Sequence, residues 1–528
     1  MEEENELKEV RKYLVSITPR DYQEKIFLTA VKNNTLVVLP TGLGKTLIAL
    51  MLSIHRLIKF PNSKILFLAP TRPLAEQHYN YFKKYLPDLF ADMILFTGKI
   101  KAEKRKEQWQ NANIIFSTPQ CISNDIKNNL YSLQEVSLLI EDECHRCIKN
   151  YSYTYIAKKY KEQAKNFKIL GLTASPGSEK EKIRTICQNL EIEKVELRNR
   201  ESEDVKQYLQ KLKFEVIKLD FPEELQKLRN ILKKVYDKKI EELIKRKLLF
   251  GKATKKNLLE TQHKIMKAIS TGNRHFNLLS GASACAVALK IQHAIELIET
   301  QTLVSAFEYL QDLFRQSEKE KSKAVKQIVK SKEFNQAYNY LIELLTRKKE
   351  NPKLEKLKEI IIEELKNKKN SKIIVFSQYR DSVIKICKEL NNIENVNAKI
   401  FIGQTIKKEI GMTQKEQQEI IREFSLGKAN ILVSTSIGEE GLDIPEVDIV
   451  IFYEPIPSAI RKIQRAGRTA RLRPGKIIIL MIKKTRDEYY YWASFHKEKK
   501  MYNVINDINK EINNKKTIIK KEKNLFDY

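Results

Sequence analysis

Cysteine is scarce in this chain, and its six cysteines are scattered. Only Cys144 and Cys147 stand at the spacing of a metal-binding pair, and no second pair with zinc spacing accompanies them. The sequence therefore does not support a structural zinc site, and we expect free thiols in a reducing cytosol.

Long uncharged apolar runs are also lacking, and acidic residues are fewer than basic ones. We find no uncharged run near the roughly 18–20 residues that cross a bilayer, and the acidic start MEEENE is unlike the basic start of a signal peptide. The 97 basic residues outnumber the 67 acidic ones, which gives a net charge of +30. We therefore expect a cytoplasmic protein with no membrane partner that binds a polyanion such as nucleic acid. A merely solvated, lysine-rich surface is the alternative.

Two blocks of short apolar runs alternate with helical patterns, and a helical stretch separates them. KILFLAP (64–70) and KILGLTA (168–174) are typical of the first block, and KIIVFSQ (372–378) of the second. Such runs predict buried parallel strands joined by crossover helices. We predict an α/β fold with sheet domains at 1–198 and 351–500, an inserted all-helical domain at 199–350, and a basic tail at 501–528 that frays or forms one loose helix.

The stretch LVVLPTGLGKTLIAL (36–50) has the pattern of a phosphate-binding loop between a strand and a helix. Glycines let backbone N–H groups approach a triphosphate closely. Lys45 can then reach the β and γ phosphates, and the Thr46 hydroxyl can ligate Mg²⁺. The strict pattern has a glycine where Leu39 stands. The predicted nucleotide-binding residues here are Pro40, Thr41, Gly42, Leu43, Gly44, Lys45 and Thr46.

An acidic box, Glu141-Asp142-Glu143, follows the apolar run VSLLI (136–140). A carboxylate at the end of a strand beside a phosphate loop can hold Mg²⁺, which is the predicted role of Asp142. Glu143 is then the candidate base that orients and deprotonates the attacking water. Glu141 occupies a position where a buried strand would normally remain apolar, and the sequence offers no reason for it.

The combination of PTGLGKT with DECH resembles superfamily 2 helicases, and further matching blocks follow in order. This resemblance implies two RecA-like domains and an ATP-driven motor that uses ATP and Mg²⁺. It implies an adenine-reading segment at Arg20 and Gln23, and coupling of hydrolysis to strand movement at His145, Thr173 and Ser175. The implied nucleic-acid contacts are Pro70, Thr71, Arg72, Thr97, Gly98, Thr118, Pro119, Ser377, Gln378 and Thr435.

Two blocks of the second domain, STSIGEEGLDIP (434–445) and QRAGRTAR (464–471), resemble those that face the nucleotide across the interdomain cleft. Gly441 and Asp443 would lie at the nucleotide, with Asp443 touching the ribose. Arg468 and Arg471, together with Gln464, would complete the hydrolytic centre when the second domain closes onto the first. The sequence departs from the family pattern in two places, because Ala470 replaces a glycine and Cys144 replaces the alanine of DEAH.

The similarity narrows to the archaeal Hef helicase region, which is akin to the Fanconi anaemia M-type DNA translocases. Blocks such as NYSYTYIAKKY, IQHAIELIETQ and TRDEYYYWAS carry it, and it extends over about residues 10–505. It implies a thumb-like insert that engages branched DNA and 3′ to 5′ movement on forks and Holliday-type junctions during repair. Archaeal members usually continue into a nuclease domain, and this sequence ends before one. A nuclease on a separate polypeptide, an organism without the fusion and a truncated sequence are all open explanations. A separately encoded nuclease or a sliding clamp is a candidate partner, and we expect nucleoid association.

Two alternatives remain open at this point. The same fold could work on RNA, because motor domains contact mainly the backbone and RNA differs there chiefly by its 2′-OH. The chain could also be a junction-binding scaffold with a vestigial ATPase that recruits a separate nuclease, although the intact catalytic residues argue against this. We expect His293 to be a satisfied histidine rather than a ligand, and Tyr490-Tyr491-Trp492 to dock a terminal helix rather than stack on bases.

Overall fold

The structure is a computed structural model that describes residues 2–319, 322–403, 411–435, 444–458, 465, 469 and 474–525. Its architecture matches the predicted fold class, with two parallel sheets and a helical bundle between them in the chain.

The first domain is built on a seven-stranded sheet with the order β3-β4-β2-β5-β6-β1-β7, and every neighbouring pair of strands is parallel. Most of its strands are apolar runs buried on both faces, as expected when crossover helices cover a parallel sheet. The strands are β1 Thr35–Val38, β2 Lys64–Leu68, β3 Met93–Phe96, β4 Ile114–Ser117, β5 Val136–Asp142, β6 Ile169–Thr173 and β7 Lys194–Leu197.

Helices cover both faces of this sheet and form an apolar cluster on each side. Helix α3 begins directly after the phosphate-loop glycines, and nearly all of it is buried. The helices are α1 Glu2–Arg11, α2 Asp21–Lys32, α3 Lys45–Lys59, α4 Arg72–Tyr85, α5 Ala102–Asn111, α6 Pro119–Lys127, α7 Ser152–Gln163, α8 Lys180–Asn189 and the short α9 Glu203–Lys206. A 3₁₀ turn, Cys144–Arg146, follows the acidic box.

The helical insert contains two apolar clusters formed by long antiparallel helices. Its helices are α10 Glu223–Lys245, α11 Lys255–Ser270, α12 Phe276–Thr300, α13 Leu303–Glu318, α14 Lys323–Val329 and α15 Lys332–Thr346. Within the described residues, α12 is long and apolar enough to cross a membrane, although it includes Lys290 and so is not an uncharged run. Half of its most apolar stretch is buried inside the protein, as in the core helix of a bundle.

The second sheet differs from the prediction at one strand. Its described strands run in the order β10-β11-β9-β12-β13-β8, all parallel. They are β8 Leu212–Leu219, β9 Ile373–Phe376, β10 Ala398–Phe401, β11 Ile431–Ser434, β12 Ile449–Phe452 and β13 Gly475–Ile482. Because β8 pairs with β13 along its whole length, residues 212–219 belong to this sheet and not to the helical insert. The prediction missed β8 because it is a partly exposed edge strand with charged residues interspersed.

The last helix joins the second domain to the first. The helices of the second domain are α16 Pro352–Asn367, α17 Arg380–Leu390, α18 Gln414–Ser425 and α19 Arg486–Leu525. On α19, Met501, Ile505 and Ile508 are buried in an apolar cluster of the first domain. The Asn509 amide also bonds to both backbone polar groups of Val195 on the edge strand β7. The start of the tail is therefore a docked helix, which corrects the expectation of a loose one.

Candidate functional site

The phosphate loop lies between β1 and α3, and its backbone is shaped by two glycines. Gly42 and Gly44 have φ of +85° and +78°, which residues with a Cβ rarely adopt. A Cβ on Gly44 would also lie 2.2 Å from the Gln23 Nε2 atom. The side chain of Gln23 and the hydroxyl of Tyr22 both donate to the Leu43 carbonyl, at 3.1 and 2.8 Å. Two side chains of α2 therefore anchor the phosphate loop through the Leu43 carbonyl. The backbone N–H groups of the loop lie at the start of α3.

The predicted adenine reader lies beside this loop. The Gln23 Oε1 atom accepts from the Arg20 backbone N–H at 2.9 Å, and the Arg20 guanidinium lies over the Tyr208 ring at 5.1 Å. These contacts fix both side chains next to the phosphate loop, where an adenine reader is required. The reading of adenine by Gln23 stays a prediction.

Lys45 and Thr46 begin α3, and the structure brings both close to the acidic box. The Lys45 ammonium donates to the Leu39 carbonyl at 2.8 Å. The Thr46 hydroxyl lies 3.3 Å from Nδ1 of His78, and the Nε2 atom of the same ring lies 2.9 Å from Asp142 Oδ2. The hydroxyl and the carboxylate that were predicted to hold Mg²⁺ are therefore joined by one imidazole.

Asp142 ends β5 in a buried position and is held by its backbone as well as its side chain. The Tyr153 hydroxyl donates to the Asp142 carbonyl at 2.6 Å. Burial opposes ionisation, but the hydrogen bond from His78 and the charge of Lys45 outweigh it, so the pKa of Asp142 lies below its usual value. An ionised carboxylate beside a hydroxyl is the oxygen donor set that Mg²⁺ prefers when phosphates and waters supply the remaining ligands.

The side chains that the structure describes do not complete the coordination of Mg²⁺. Among the residues that the structure describes, no group of three or more His, Cys, Asp or Glu could hold a metal by itself. The Thr41 hydroxyl in the phosphate loop is buried without a hydrogen-bond partner in the described part of the chain. Both observations fit a site that a nucleotide and Mg²⁺ complete together.

Glu143 follows Asp142 in a left-handed backbone conformation with φ of +51°. Its Oε2 atom is 3.2 Å from His145 Nδ1, but it forms no hydrogen bond with a described residue. The same Nδ1 atom is 3.2 Å from the Thr173 hydroxyl, which also accepts from the Ser175 N–H at 3.1 Å. The Glu143 carboxylate thus keeps acceptor capacity for a water, as a base requires, and its close approach to His145 joins it to the predicted coupling segment.

Ser175 extends this chain of contacts to the C-terminal helix α19. Its hydroxyl lies 2.8 Å from the sulfur of Met501 on α19, the helix that leaves the second domain. The predicted coupling segment therefore contacts the helix that connects the two sheet domains. This contact could not be predicted from the sequence, because Met501 lies 326 residues further along the chain.

Glu141 is fully buried, with its side chain on the opposite face of β5 from Asp142. Burial raises the pKa of its carboxyl to about 8, and the Cys147 thiol offsets part of the rise. Neither carboxyl oxygen reaches full hydrogen-bond geometry with any residue in the described ranges. Glu141 is therefore a protonated, poorly satisfied group behind the acidic box near neutral pH.

The Glu141→Gln variant should be more stable than the wild type by up to about 3 kcal/mol at pH 7, because folding then no longer protonates a carboxyl whose unfolded pKa is near 4.5. The folded pKa is the higher one, so the wild type loses stability as the pH rises from 4.5 to 8. The gain from glutamine should therefore shrink toward pH 4.5. Urea unfolding at pH 5 and pH 8, followed by Trp109 fluorescence in a Trp492→Phe background, measures the free energy of unfolding of both proteins at each pH. A gain that is equal at both pH values would contradict this reading, and the exposed Glu135→Gln is the control.

The nucleic-acid residues predicted in the first domain follow three neighbouring strands. Because β2, β4 and β3 are adjacent and parallel, the segments after them lie along one sheet edge. Thr71 and Thr118 immediately precede α4 and α6, whose N–H groups can bind phosphate. The Thr71 hydroxyl and the Arg72 Nε atom are buried without partners in the described chain. Pro70, Thr97 and Pro119 are buried, and Gly98 is exposed with open space where a side chain would stand.

In the second domain, the Ser377 hydroxyl lies between the insert and the sheet domain. Ser377 is fully buried, and its hydroxyl is 3.1 Å from Gln301 Oε1 of the insert and 3.2 Å from Glu454 Oε2, so its nucleic-acid contact stays a prediction. The Gln378 backbone N–H also bonds to Glu454, and Thr435 is buried at the end of β11. Gly441, Asp443, Gln464, Arg468 and Arg471 lie outside the described residues, and their predicted roles stay predictions.

His78 and Tyr153 are the residues that motif reading missed. His78 lies 6 positions after Arg72 on α4, and Tyr153 lies on α7 after the acidic box. The spacing from the phosphate loop to either residue carries no known pattern, so only the folded sheet brings them to Asp142. His293 packs edge-on against Tyr309, with centroids 4.6 Å apart, in the groove setting expected for it.

Family models match three parts of the chain. Residues 16–178 match the type III restriction enzyme res subunit, residues 352–473 match the helicase conserved C-terminal domain, and residues 224–351 match "Putative ATP-dependent RNA helicase, helical bundle". The order of these matches follows the two sheet domains and the insert.

Several relatives share this organisation. A Methanocaldococcus jannaschii protein named "Putative ATP-dependent RNA helicase" is 39% identical over 93% of this chain and 61% of its own length. The ATP-dependent DNA helicase fml1 of Schizosaccharomyces pombe is 32% identical over 94% of this chain and 60% of its own length, and the mouse Fanconi anemia group M protein homolog is 32% identical over 93% and 26%. The chain thus spans at most about three fifths of these relatives.

A crystal structure of the Pyrococcus furiosus Hef helicase domain agrees with the whole architecture. It is 44% identical, superposes with a TM-score of 0.68, and covers 90% of this chain and 98% of its own. Its domain order includes the insert, and its match extends over nearly all of that domain. The chain therefore belongs to the family of superfamily 2 helicases that includes Hef, Mph1, Fml1 and the Fanconi anaemia group M protein.

Proposed function

We propose that this protein is an ATP-dependent DNA translocase that moves 3′ to 5′ and remodels branched DNA, such as stalled forks and Holliday-type junctions, during repair. The proposal rests on the segments that gather at one edge of the first sheet, where the carboxyl ends of its parallel strands lie. That edge holds the phosphate loop, the acidic box and three predicted nucleic-acid segments side by side. The similarity to fml1, which is named an ATP-dependent DNA helicase, supports DNA as the substrate.

Hydrolysis follows from the residues at this edge. The phosphate-loop N–H groups and Lys45 would bind the triphosphate, and Thr46 and Asp142 would hold Mg²⁺, which would supply charge neutralisation. Glu143 orients a water and accepts its proton while the water oxygen bonds to the γ-phosphorus, the bond to the β-phosphate oxygen breaks and ADP leaves. From the second domain, Gln464, Arg468 and Arg471 would stabilise the transferred phosphate. The contact of His145 with Thr173 would couple ATP hydrolysis to movement of the nucleic-acid strand.

The distal part of the helical insert supports contact with a DNA branch. Between residues 245 and 280 the chain carries nine lysines and arginines and one acidic residue, Glu260. Large apolar side chains are exposed in the same region, including Phe250 and Phe276, which are 73% and 79% exposed. A basic surface with exposed aromatics suits a phosphate backbone with unstacked bases, which occur where strands separate.

The relatives also favour one competing function. The names of one relative and of the insert's family model point to RNA, so an RNA-stimulated ATPase is the second candidate. A junction-binding scaffold is the third candidate, and it predicts that Lys45→Ala leaves every activity unchanged. A separately encoded nuclease or sliding clamp, and nucleoid association in the cytoplasm, remain part of the proposal.

ATP hydrolysis measured with forked DNA, plain duplex, single strands and structured RNA separates these candidates. At one stated salt concentration, we expect forked DNA to stimulate hydrolysis most strongly, with single strands and plain duplex weaker. Equal or greater stimulation by RNA would contradict the DNA assignment. Fork remodelling that survives Lys45→Ala would instead support the scaffold. Displacement of strands from substrates with a 3′ or a 5′ single-stranded arm then tests the polarity.

A further inference from the structure

His78 occupies a position between two side chains of the proposed hydrolytic centre. It lies on α4 and is 7% exposed. Its Nε2 atom is 2.9 Å from Asp142 Oδ2, and its Nδ1 atom is 3.3 Å from the Thr46 hydroxyl. One ring therefore contacts both predicted ligands of Mg²⁺. Thr46 lies at the start of the helix that follows β1, and Asp142 is the last residue of β5.

The hydrogen-bond directions in this bridge have a consequence for metal binding. A carboxylate only accepts, so the Nε2–H group of His78 donates to Asp142. The other ring nitrogen, Nδ1, lies 3.3 Å from the Thr46 hydroxyl, so the same ring also restricts the rotamer of Thr46. Because the two nitrogens belong to one rigid ring, the bridge orients Thr46 and Asp142 together as ligands.

The ring cannot rotate freely out of this bridge. It packs against Phe67 of β2 with centroids 4.4 Å apart, and Phe67 itself stacks on Phe116 and meets Phe82 edge-on. Because Phe82 also lies on α4, the helix and the ring are fixed to the same aromatic cluster. Movement of α4 must therefore move the imidazole.

The start of α4 is a predicted nucleic-acid contact. The Thr71 hydroxyl and Arg72 Nε are buried without hydrogen-bond partners among the described residues, as expected for groups that bind a ligand. Six residues separate Arg72 from His78, which is about 9 Å along a helix. One rigid helix therefore connects the predicted phosphate contact with the two metal ligands.

We propose that His78 is a positioning residue that orients Thr46 and Asp142 for Mg²⁺ and transmits movement of α4 from the nucleic-acid groove to the hydrolytic centre. The transmission step rests on the proposed function, whereas the orientation step rests only on the contacts of His78. The two steps can therefore fail separately.

Binding of a fluorescent ADP analogue with and without Mg²⁺ tests the orientation step without turnover. In His78→Ala, the strengthening of ADP binding by Mg²⁺ should fall roughly tenfold, with metal-free binding unchanged. His78→Gln can keep an N–H donor for Asp142 but not the rigid ring, and should restore part of the effect. His55→Ala is the matched control, because His55 is also buried and lies at the far end of α3.

The transmission step is tested by the ratio of ATP hydrolysis with and without the nucleic acid that stimulates the wild type best. This ratio should fall in His78→Ala and stay at the wild-type value in His55→Ala. The inference is overturned if His78→Ala keeps the wild-type effect of Mg²⁺, or if it loses metal-free ADP binding to the same extent. If no nucleic acid stimulates the wild type, the proposed function and the transmission step both fail, and the Mg²⁺ comparison still decides the orientation step.

Discussion

Replacing Glu143 with glutamine should lower the rate of ATP hydrolysis by about 10²–10⁴-fold and leave ATP binding intact. The Oε2 atom of Glu143 is buried and has no hydrogen-bond partner in the part of the chain that the structure describes. Glutamine keeps the shape of this side chain but cannot accept a proton from water. The expected change is therefore in kcat, with little change in KM.

The measurement is steady-state hydrolysis with forked DNA, together with ATP binding by a fluorescent analogue. Glu135→Gln is the matched control, since Glu135 lies just before β5 and its side chain is 62% exposed. If Glu143→Gln hydrolysed ATP at more than about a tenth of the wild-type rate, Glu143 would not be the general base.

Lys353→Met should destabilise the junction between the insert and the second domain by about 3–5 kcal/mol, because it leaves a buried charge without a partner. Lys353 and Asp487 are both fully buried, and their charged atoms lie 2.8 Å apart. The Lys353 ammonium also donates to the Thr300 carbonyl at the end of α12. Three chain segments therefore meet at this one ion pair.

The pH dependence of the loss follows from Asp487. Burial raises the pKa of Asp487 to about 6, although Lys353 opposes the rise. Without Lys353 that pKa should rise further, so Asp487 would take up a proton on folding, and the loss should be smaller at pH 5 than at pH 8.

Urea unfolding followed by Trp492 fluorescence, in a Trp109→Phe background, measures the loss. Lys356→Met, which removes a surface ion pair on the same helix, should change stability by less than about 1 kcal/mol. The double variant Lys353→Met/Asp487→Leu should recover most of the loss. A loss in Lys353→Met no larger than that in Lys356→Met would show that the buried pair does not hold the junction.

The sequence predicted the sheets well, for a clear physical reason. Strands buried on both faces are continuous apolar runs, and each run ends where polar residues begin. The phosphate loop and acidic box stand out because their chemistry requires fixed residue types at short spacing. The edge strand β8 was missed because it is partly exposed and carries charges, which hide the apolar pattern.

Contacts between distant segments were beyond the sequence. Met501, Ile505 and Ile508 do stand at helical spacing, so the docked face of α19 was present in the tail, but the surrounding lysines and asparagines concealed it. His78 bridges Thr46 and Asp142 only after three strands have assembled. The sequence identified Glu141 as anomalous, but only the structure shows that it is buried without full hydrogen bonds.

The most direct test of the central claim is the ATP-dependent displacement of a Holliday-type junction that carries a label on one arm. We predict that the wild type moves the junction when ATP and Mg²⁺ are present, and that Glu143→Gln binds the same junction without moving it. Junction movement by Glu143→Gln at the wild-type rate, or no movement by a wild type that hydrolyses ATP on this DNA, would contradict the claim.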